Sequence, residues 1–307
     1  MSRLLCLFFA ALILFSLWPA LAASNDRYGP PVKVATLTDS SVTESSGLVA
    51  SRTSPGAYWT HNDSGDGPFI YTFNTRESLG TFRVTGANAR DWEDIAAGPG
   101  PQRGRSYLYI GDIGDNSANR PEITVYRVPE PQITPADKNS TKKRPRLTEP
   151  AEAIRLVYPD GPHDAEALMV HPASGNLYIM TKRAFANPAV YEATAPLNSG
   201  RLTTLKRIGE VHVPSIFGGA ITGGSISPDG RRVALCDYFQ GYEIVLPAAS
   251  KNFDDIWKEK MTGFDLGKRP QGESITYRLD GNALLATSEG KSPDLIQVEL
   301  ERRRSRM

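Results

Sequence analysis

Asp91-Trp-Glu-Asp-Ile95 is one of five short stretches that superimpose along the chain, the others being Glu44-Ser-Ser-Gly-Leu48, Asp164-Ala-Glu-Ala-Leu168, Thr222-Gly-Gly-Ser-Ile226 and Gln271-Gly-Glu-Ser-Ile275. Each opens a small or apolar strand, which is followed by a Gly/Pro/Asp turn such as Pro172-Ala-Ser-Gly175 or Pro228-Asp-Gly230 and then by a second strand. The second strands read Ala57–Thr60, Ser106–Ile110, Asn176–Met180, Arg232–Cys236 and Ala283–Thr287. Third strands follow at Phe69–Phe73, Ile123–Val128, Ala189–Glu192, Gly241–Val245 and Asp294–Val298. Their alternation and their aromatic and β-branched content are those of half-buried strands. Fourth strands are weaker, at Leu79–Val84, Ala153–Val157, Ile208–Val213 and Met261–Leu266, and the fifth repeat has none after it. Val32–Leu37, ahead of the first repeat, is free to fill that place.

A repeated four-strand unit of roughly 40 to 50 residues is the signature of a β-propeller, in which a ring of blades is locked by pairing its two ends. The expected fold is therefore all-β, a propeller of five four-stranded blades with the N-terminal strand closing the last blade. Six blades are the alternative, if one is hidden in the long interval between Asp91 and Asp164. Residues 129–150 within that interval, rich in Pro, Lys and Arg, read as a surface insertion loop.

Composition agrees. Twenty-seven Gly and 23 Pro in 307 residues suit many short strands joined by turns rather than a helical bundle. Lys and Arg number 35 against 34 Asp and Glu, so bulk charge implies no nucleic-acid partner. The basic runs Lys138–Arg146 and Arg302–Arg306 lack interleaved aromatics and read as solvated segments, the second as a basic tail over 302–307.

Met1-Ser-Arg3, the apolar run Leu4–Trp18 and the small-x-small ending Pro19-Ala-Leu-Ala22 form the pattern of a cleaved signal peptide over residues 1–22. The run falls short of the roughly 20 residues that span a bilayer, so no stable membrane span is expected. Residues 23–307 then form one exported domain, periplasmic or extracellular and monomeric. Cys6 leaves with the signal; Cys236, without a partner, is expected to be buried and inert in a strand.

In a propeller the first strand of each blade lines the central channel. The middle residues of the five stretches are Ser46, Glu93, Glu166, Gly224 and Glu273, and the leading ones Glu44, Asp91, Asp164, Thr222 and Gln271. Glu93, Glu166 and Glu273 should converge near one mouth, with Asp91 and Asp164 close by and Asp112 completing a ligand set. Carboxylates crowded together raise one another's pKa, and a hard cation relieves this; an all-oxygen set suits Ca²⁺, with Mg²⁺ the alternative. The second strands end in a further polar set expected on the same rim: Asn62, Asp63, Asp115, Asn116, Lys182, Arg183, Asp237 and Glu289. His61, His163 and Lys182 are the candidate catalytic groups, the histidines as general bases. No Gly-x-Ser-x-Gly elbow and no His or Cys pair with zinc spacing is present.

At Trp59-Thr-His-Asn-Asp-Ser-Gly65, Asp91–Ile95 and Leu108–Asn116 the chain resembles exported bacterial propeller proteins of uncharacterised function. The Asp/Glu-x-Glu-x-Ile/Leu starts are also similar to those of phytase-like and esterase-like propellers. That resemblance implies calcium on a carboxylate rim and hydrolysis of phosphate esters, with Glu93, Glu166 and Glu273 as the positions that match. Two functions are therefore expected to compete. One is a binding or scaffold propeller with a bound cation, gripping a glycan or protein; the other is a calcium-dependent hydrolase of a small-molecule phosphoester or related ester.

Overall fold

The structure, a computed structural model, describes residues 27–216 and 218–300. The expected signal segment and the basic tail lie outside the described residues.

Five sheets make the blades, four of them built in chain order from inside outward. Blade 1 comprises Ser45–Ala50, Tyr58–Asn62, Phe69–Phe73 and Ser78–Arg83. Blade 2 comprises Trp92–Pro99, Ser106–Asp112, Ile123–Pro129 and Glu152–Val157, and blade 3 Ala165–Val170, Leu177–Thr181, Ala189–Ala193 and Lys206–Glu210. Blade 4 comprises Gly223–Ile226, Arg232–Cys236, Gln240–Val245 and Thr262–Asp265. Blade 5 comprises Gly272–Tyr277, Ala283–Ser288 and Asp294–Glu299, and its outer strand is Val32–Thr36, antiparallel to Asp294–Glu299. The five-blade ring closed by its N-terminal strand is thus the fold. Among the described residues no helix is long and apolar enough to cross a membrane.

The core is divided among the blade interfaces, because a twisted sheet presents one apolar face to each neighbour. Trp59, Ile70 and Phe82 of blade 1 pack on Trp92, Ile95 and Leu108 of blade 2. Tyr107 and Ile123 of blade 2 meet Leu168, Leu177 and Ile179 of blade 3, and Met169 and Met180 of blade 3 meet Leu235 and Tyr242 of blade 4. Cys236 is fully buried between blades 4 and 5, and burial pushes its thiol up to about 12, so it is inert at neutral pH.

The insertion is more ordered than a surface loop. Pro135–Asn139 form a 3-10 helix, and Arg146–Leu147 add a short parallel strand outside Ser78–Arg83. Gly80, at φ 142°, lets the helix approach, since a Cβ there would lie 2.5 Å from the Asp137 carbonyl. Blade 3's outer strand starts at Lys206 rather than Ile208, because Lys206 and Arg207 sit on an exposed edge where charge is compatible with a strand.

Candidate metal centre at the channel mouth

The inner strands carry a repeated irregularity. In blades 1, 2, 3 and 5 the pairing skips one residue, Ser46, Glu93, Glu166 and Glu273 respectively. A bulge takes a residue out of the ladder and re-aims its side chain. The glutamates the sequence aligned are these bulge residues. In each blade the residue after the bulge pairs with the one before the polar end of the second strand: Gly47 with His61, Asp94 with Gly111, Ala167 with Met180, Ser274 with Thr287. Blade 4 pairs Gly223 with Cys236, just before Asp237, so Thr222 stands at the glutamate position and the sequence alignment on Gly224 is two residues off. Two glycines in succession carry no side-chain signal to fix the register.

The carboxyl groups at this mouth crowd together. Oxygen atoms of Asp63, Asp91 and Glu93 lie within 4.8 Å of one another. Asp63 follows blade 1's second strand, whereas Asp91 and Glu93 enter from blade 2, so the cluster bridges two blades. A side chain at Gly114 would collide with both the Glu93 and Asp91 carboxyls, which explains a glycine at that point of the Asp112–Asn116 loop. Glu93 is 5% exposed, and among the described residues its carboxyl neither forms an ion pair nor accepts a hydrogen bond. Burial, followed by repulsion from Glu166, Asp63, Asp91 and Asp164, holds that carboxyl well above its ordinary range. Asp91 is raised by burial and then by Asp63.

Glu166 and Glu273 face the same space. Burial lifts Glu166 to about 7 although Lys182 pairs with it, and burial plus the Glu166 charge lifts Glu273 to about 9 while Gln271 donates to it at 2.9 Å. Burial pulls the Lys182 ammonium down, but Glu166 outweighs this and leaves it raised; its Nζ also lies 5.1 Å from the Tyr238 ring centre. Glu289, partly exposed, is raised by burial and then by Asp63 and Glu44.

The remaining candidates are engaged elsewhere. Asp112 is buried against Arg120 at 2.8 Å, and Asp115 accepts the Arg120 amide at 2.7 Å, so both shape their loop. Asp164 accepts the Asp115 amide at 2.8 Å. Asn62 holds the segment before blade 1 by accepting from Thr43 and Glu44 and donating to Ser41. Asp237 caps its own turn through Phe239 and Gln240. Arg183 points outward to Glu210 at 3.1 Å, and Asn116 is exposed on its loop.

His61 is fully buried edge-on to Trp92, its Nδ1 at 2.8 Å from the Asn62 carbonyl, and burial lowers its pKa. It has no access to a substrate proton. His163 sits among Tyr158, Tyr191 and Asp160, bonded to the last two at 2.9 and 3.1 Å. That leaves Lys182 as the candidate catalytic group at the mouth.

Sequence reasoning missed Asp94. It is 1% exposed, and its carboxyl accepts the amides of Ile95 at 2.8 Å, Leu168 at 2.9 Å and Gly224 at 3.3 Å, tying blades 2, 3 and 4 beneath the glutamates. The available signal was a second acid directly after the repeated one, unique to blade 2 among the five stretches.

No family model and no curated protein matches the chain. Among solved structures it is similar to Kuenenia stuttgartiensis hydrazine synthase, at 11% identity and TM-score 0.41 over 80% of this chain and 68% of that chain. It is also similar to the β-propeller domain of Cps50 (Swd1) from Myceliophteria thermophila, at 13% identity and TM-score 0.45 over 87% of this chain and 99% of that chain. The assignment of five blades stands on the strand order itself.

Proposed function

We propose that this is an exported propeller whose channel mouth holds a hard divalent cation on Asp63, Asp91 and Glu93 and serves as a binding or scaffold surface. The observation that carries the reading is the clustering of those three carboxyl groups within 4.8 Å, with Glu93 buried and without an ion pair among the described residues. Such a group is costly to ionise unless a cation joins it. Ca²⁺ is the preferred ion, since three carboxylates leave room for carbonyl or water oxygens, and Mg²⁺ is the alternative. The experiment is thermal melting of residues 23–307 stripped with chelator, with Ca²⁺ or Mg²⁺ restored; an unchanged melting curve would remove the site.

A second reading, a cation-dependent hydrolase of phosphoesters or related esters, draws on one observation. Glu166 and Glu273, at about 7 and about 9, retain protons near neutral pH beside Lys182, which suits a general acid next to an anion-binding cation. A cation would supply polarisation of the ester oxygen and a more acidic bound water. Turnover of generic phosphate and carboxylate esters, lost in Glu166→Gln with the fold retained, would favour this reading over the scaffold one.

A further inference from the structure

In blades 2 and 3 the connection from third to fourth strand covers the outer edge of the blade before. Blade 2 supplies Arg146–Leu147, which pair in parallel with Phe82 and Arg83 of blade 1, and the Thr148 amide donates to the Arg83 carbonyl at 3.1 Å. Blade 3 supplies Thr203–Thr204, parallel to Leu156 and Val157 of blade 2, with the Leu205 amide on the Val157 carbonyl at 2.9 Å. The same connection in blade 4 supplies no strand. It forms a 3-10 helix, Phe253–Lys258, tied to the start of blade 3's outer strand by Lys206 and Asp254 at 3.2 Å. The far end of that strand has no partner strand on its outer side. It borders a cavity of about 600 Å³ lined by Ile208, Gly209, Glu210, Val211, Trp257 and Met261.

The open edge matches the covered edge of blade 1. Val211 donates its amide inward to the Pro188 carbonyl at 3.0 Å, as Val84 does to Pro68 at 2.8 Å. Backbone polar groups alternate sides along a strand, so Glu210, like Arg83, directs its N–H and C=O outward. Gly209 adds a second observation. It lacks the positive φ that calls for glycine, and a Cβ there would meet nothing within 4 Å, a combination shared by no other described glycine. The bulge beside it falls on Ile208 and not on the glycine. Glycine inside a strand weakens it, and where the chain's own packing gives no reason for one it marks the close approach of another backbone.

We propose that this groove takes an extended segment of a partner polypeptide, added in parallel to the backbone at Glu210 and seating one large apolar side chain against Trp257 and Met261. Two sister edges are closed by main chain in this way, so the occupant that fits is a polypeptide rather than a small apolar molecule. Charge does not select it. Glu210 is taken by Arg183 and Arg207, Asp254 by Lys206 and Lys258 by Asp255, while Glu259 and Lys260 bring opposite signs to the rim. Main-chain hydrogen bonds therefore supply affinity, and the cavity supplies the side-chain preference. Docking on this edge requires neither the cation nor a binding role for the channel mouth.

The test is selection of a random-peptide display library on immobilised residues 23–307. The expected result is enrichment of peptides that share a large apolar residue and slow the exchange of the Glu210 amide. They should bind at least about tenfold more weakly to Gly209→Trp, whose side chain fills the groove without a clash at Cβ, and Gly209→Ala should bind nearly as the parent does. Glu210→Pro, which removes the outward N–H, should weaken binding comparably, whereas Glu210→Gln should not. N-methylation of the peptide backbone beside the apolar residue should weaken binding at alternate positions only, as strand pairing requires. No enrichment over a blank support, equal binding to both Gly209→Trp and Glu210→Pro, or indifference to N-methylation at every position would overturn the proposal. Concentration-dependent dimerisation of the parent, lost in Gly209→Trp, would overturn it in favour of a second copy of this chain.

Discussion

Replacing Asp94 by alanine tests whether the channel is held together by this one carboxyl. Its oxygens accept two amides from other blades, Leu168 at 2.9 Å and Gly224 at 3.3 Å, and its own neighbour Ile95 at 2.8 Å, at 1% exposure. A buried donor left without a partner costs about 1–3 kcal/mol, and three donors are orphaned, two of them from other blades, so Asp94→Ala should lose about 3–9 kcal/mol. Asparagine can keep its amide oxygen toward Leu168 and Gly224 and surrender only the contact with Ile95, so Asp94→Asn should lose about 1–3 kcal/mol. Urea unfolding gives the loss as a lower midpoint at unchanged slope. Hydrogen exchange locates it, because the amides of Leu168 and Gly224 should lose protection before the rest of their strands. An alanine variant within about 1 kcal/mol of the parent, or unchanged exchange at those two amides, would refute the reasoning.

Three other outcomes follow from the same geometry. Glu166 and Glu273 have folded-state values of about 7 and about 9, above their ordinary range, so between the ordinary and raised values the folded protein binds more protons than the unfolded one. Cation-free stability from these groups is therefore full at low pH and falls as pH rises through about 7 and then about 9, while the melting increment from Ca²⁺ grows; pH-resolved melting with and without chelator checks both signs. Thr222→Glu places a fourth glutamate on the ring, so it should lower melting in chelator and enlarge the rise on adding Ca²⁺; parental melting in chelator would contradict the blade 4 register. Glu243, fully buried, joins Tyr277 at 2.6 Å, Tyr28 at 2.8 Å and Arg27 at 2.9 Å across the ring closure. Glu243→Ala should cost about 3–5 kcal/mol in urea unfolding, and a parental midpoint would exclude its role as the closing latch.

The blades were legible because each start repeats a polar-small-apolar rhythm and each second strand is plainly alternating. Val32–Leu37 was legible as the closing strand because the last repeat lacks a fourth. What stayed hidden was set by partners distant in sequence or by missing side chains. Gly223 and Gly224 offer nothing to align, so blade 4 slipped by two residues. Asp112 reads as a ligand until Arg120 is seen to fold back on it at 2.8 Å. His61 reads as a base in a polar cluster, yet alternation turns it into the interface with Trp92. Asp94 was invisible as a tie because its acceptors are used by amides 74 and 130 residues away.

Calorimetric titration of Ca²⁺ into chelator-stripped residues 23–307, run beside an Asp91→Asn, Glu93→Gln variant whose fold is verified by circular dichroism, tests the central claim most directly. The account predicts one saturable site in the parent that disappears in the variant. Binding of neither Ca²⁺ nor Mg²⁺ by the parent, or equal binding by the variant, would contradict it.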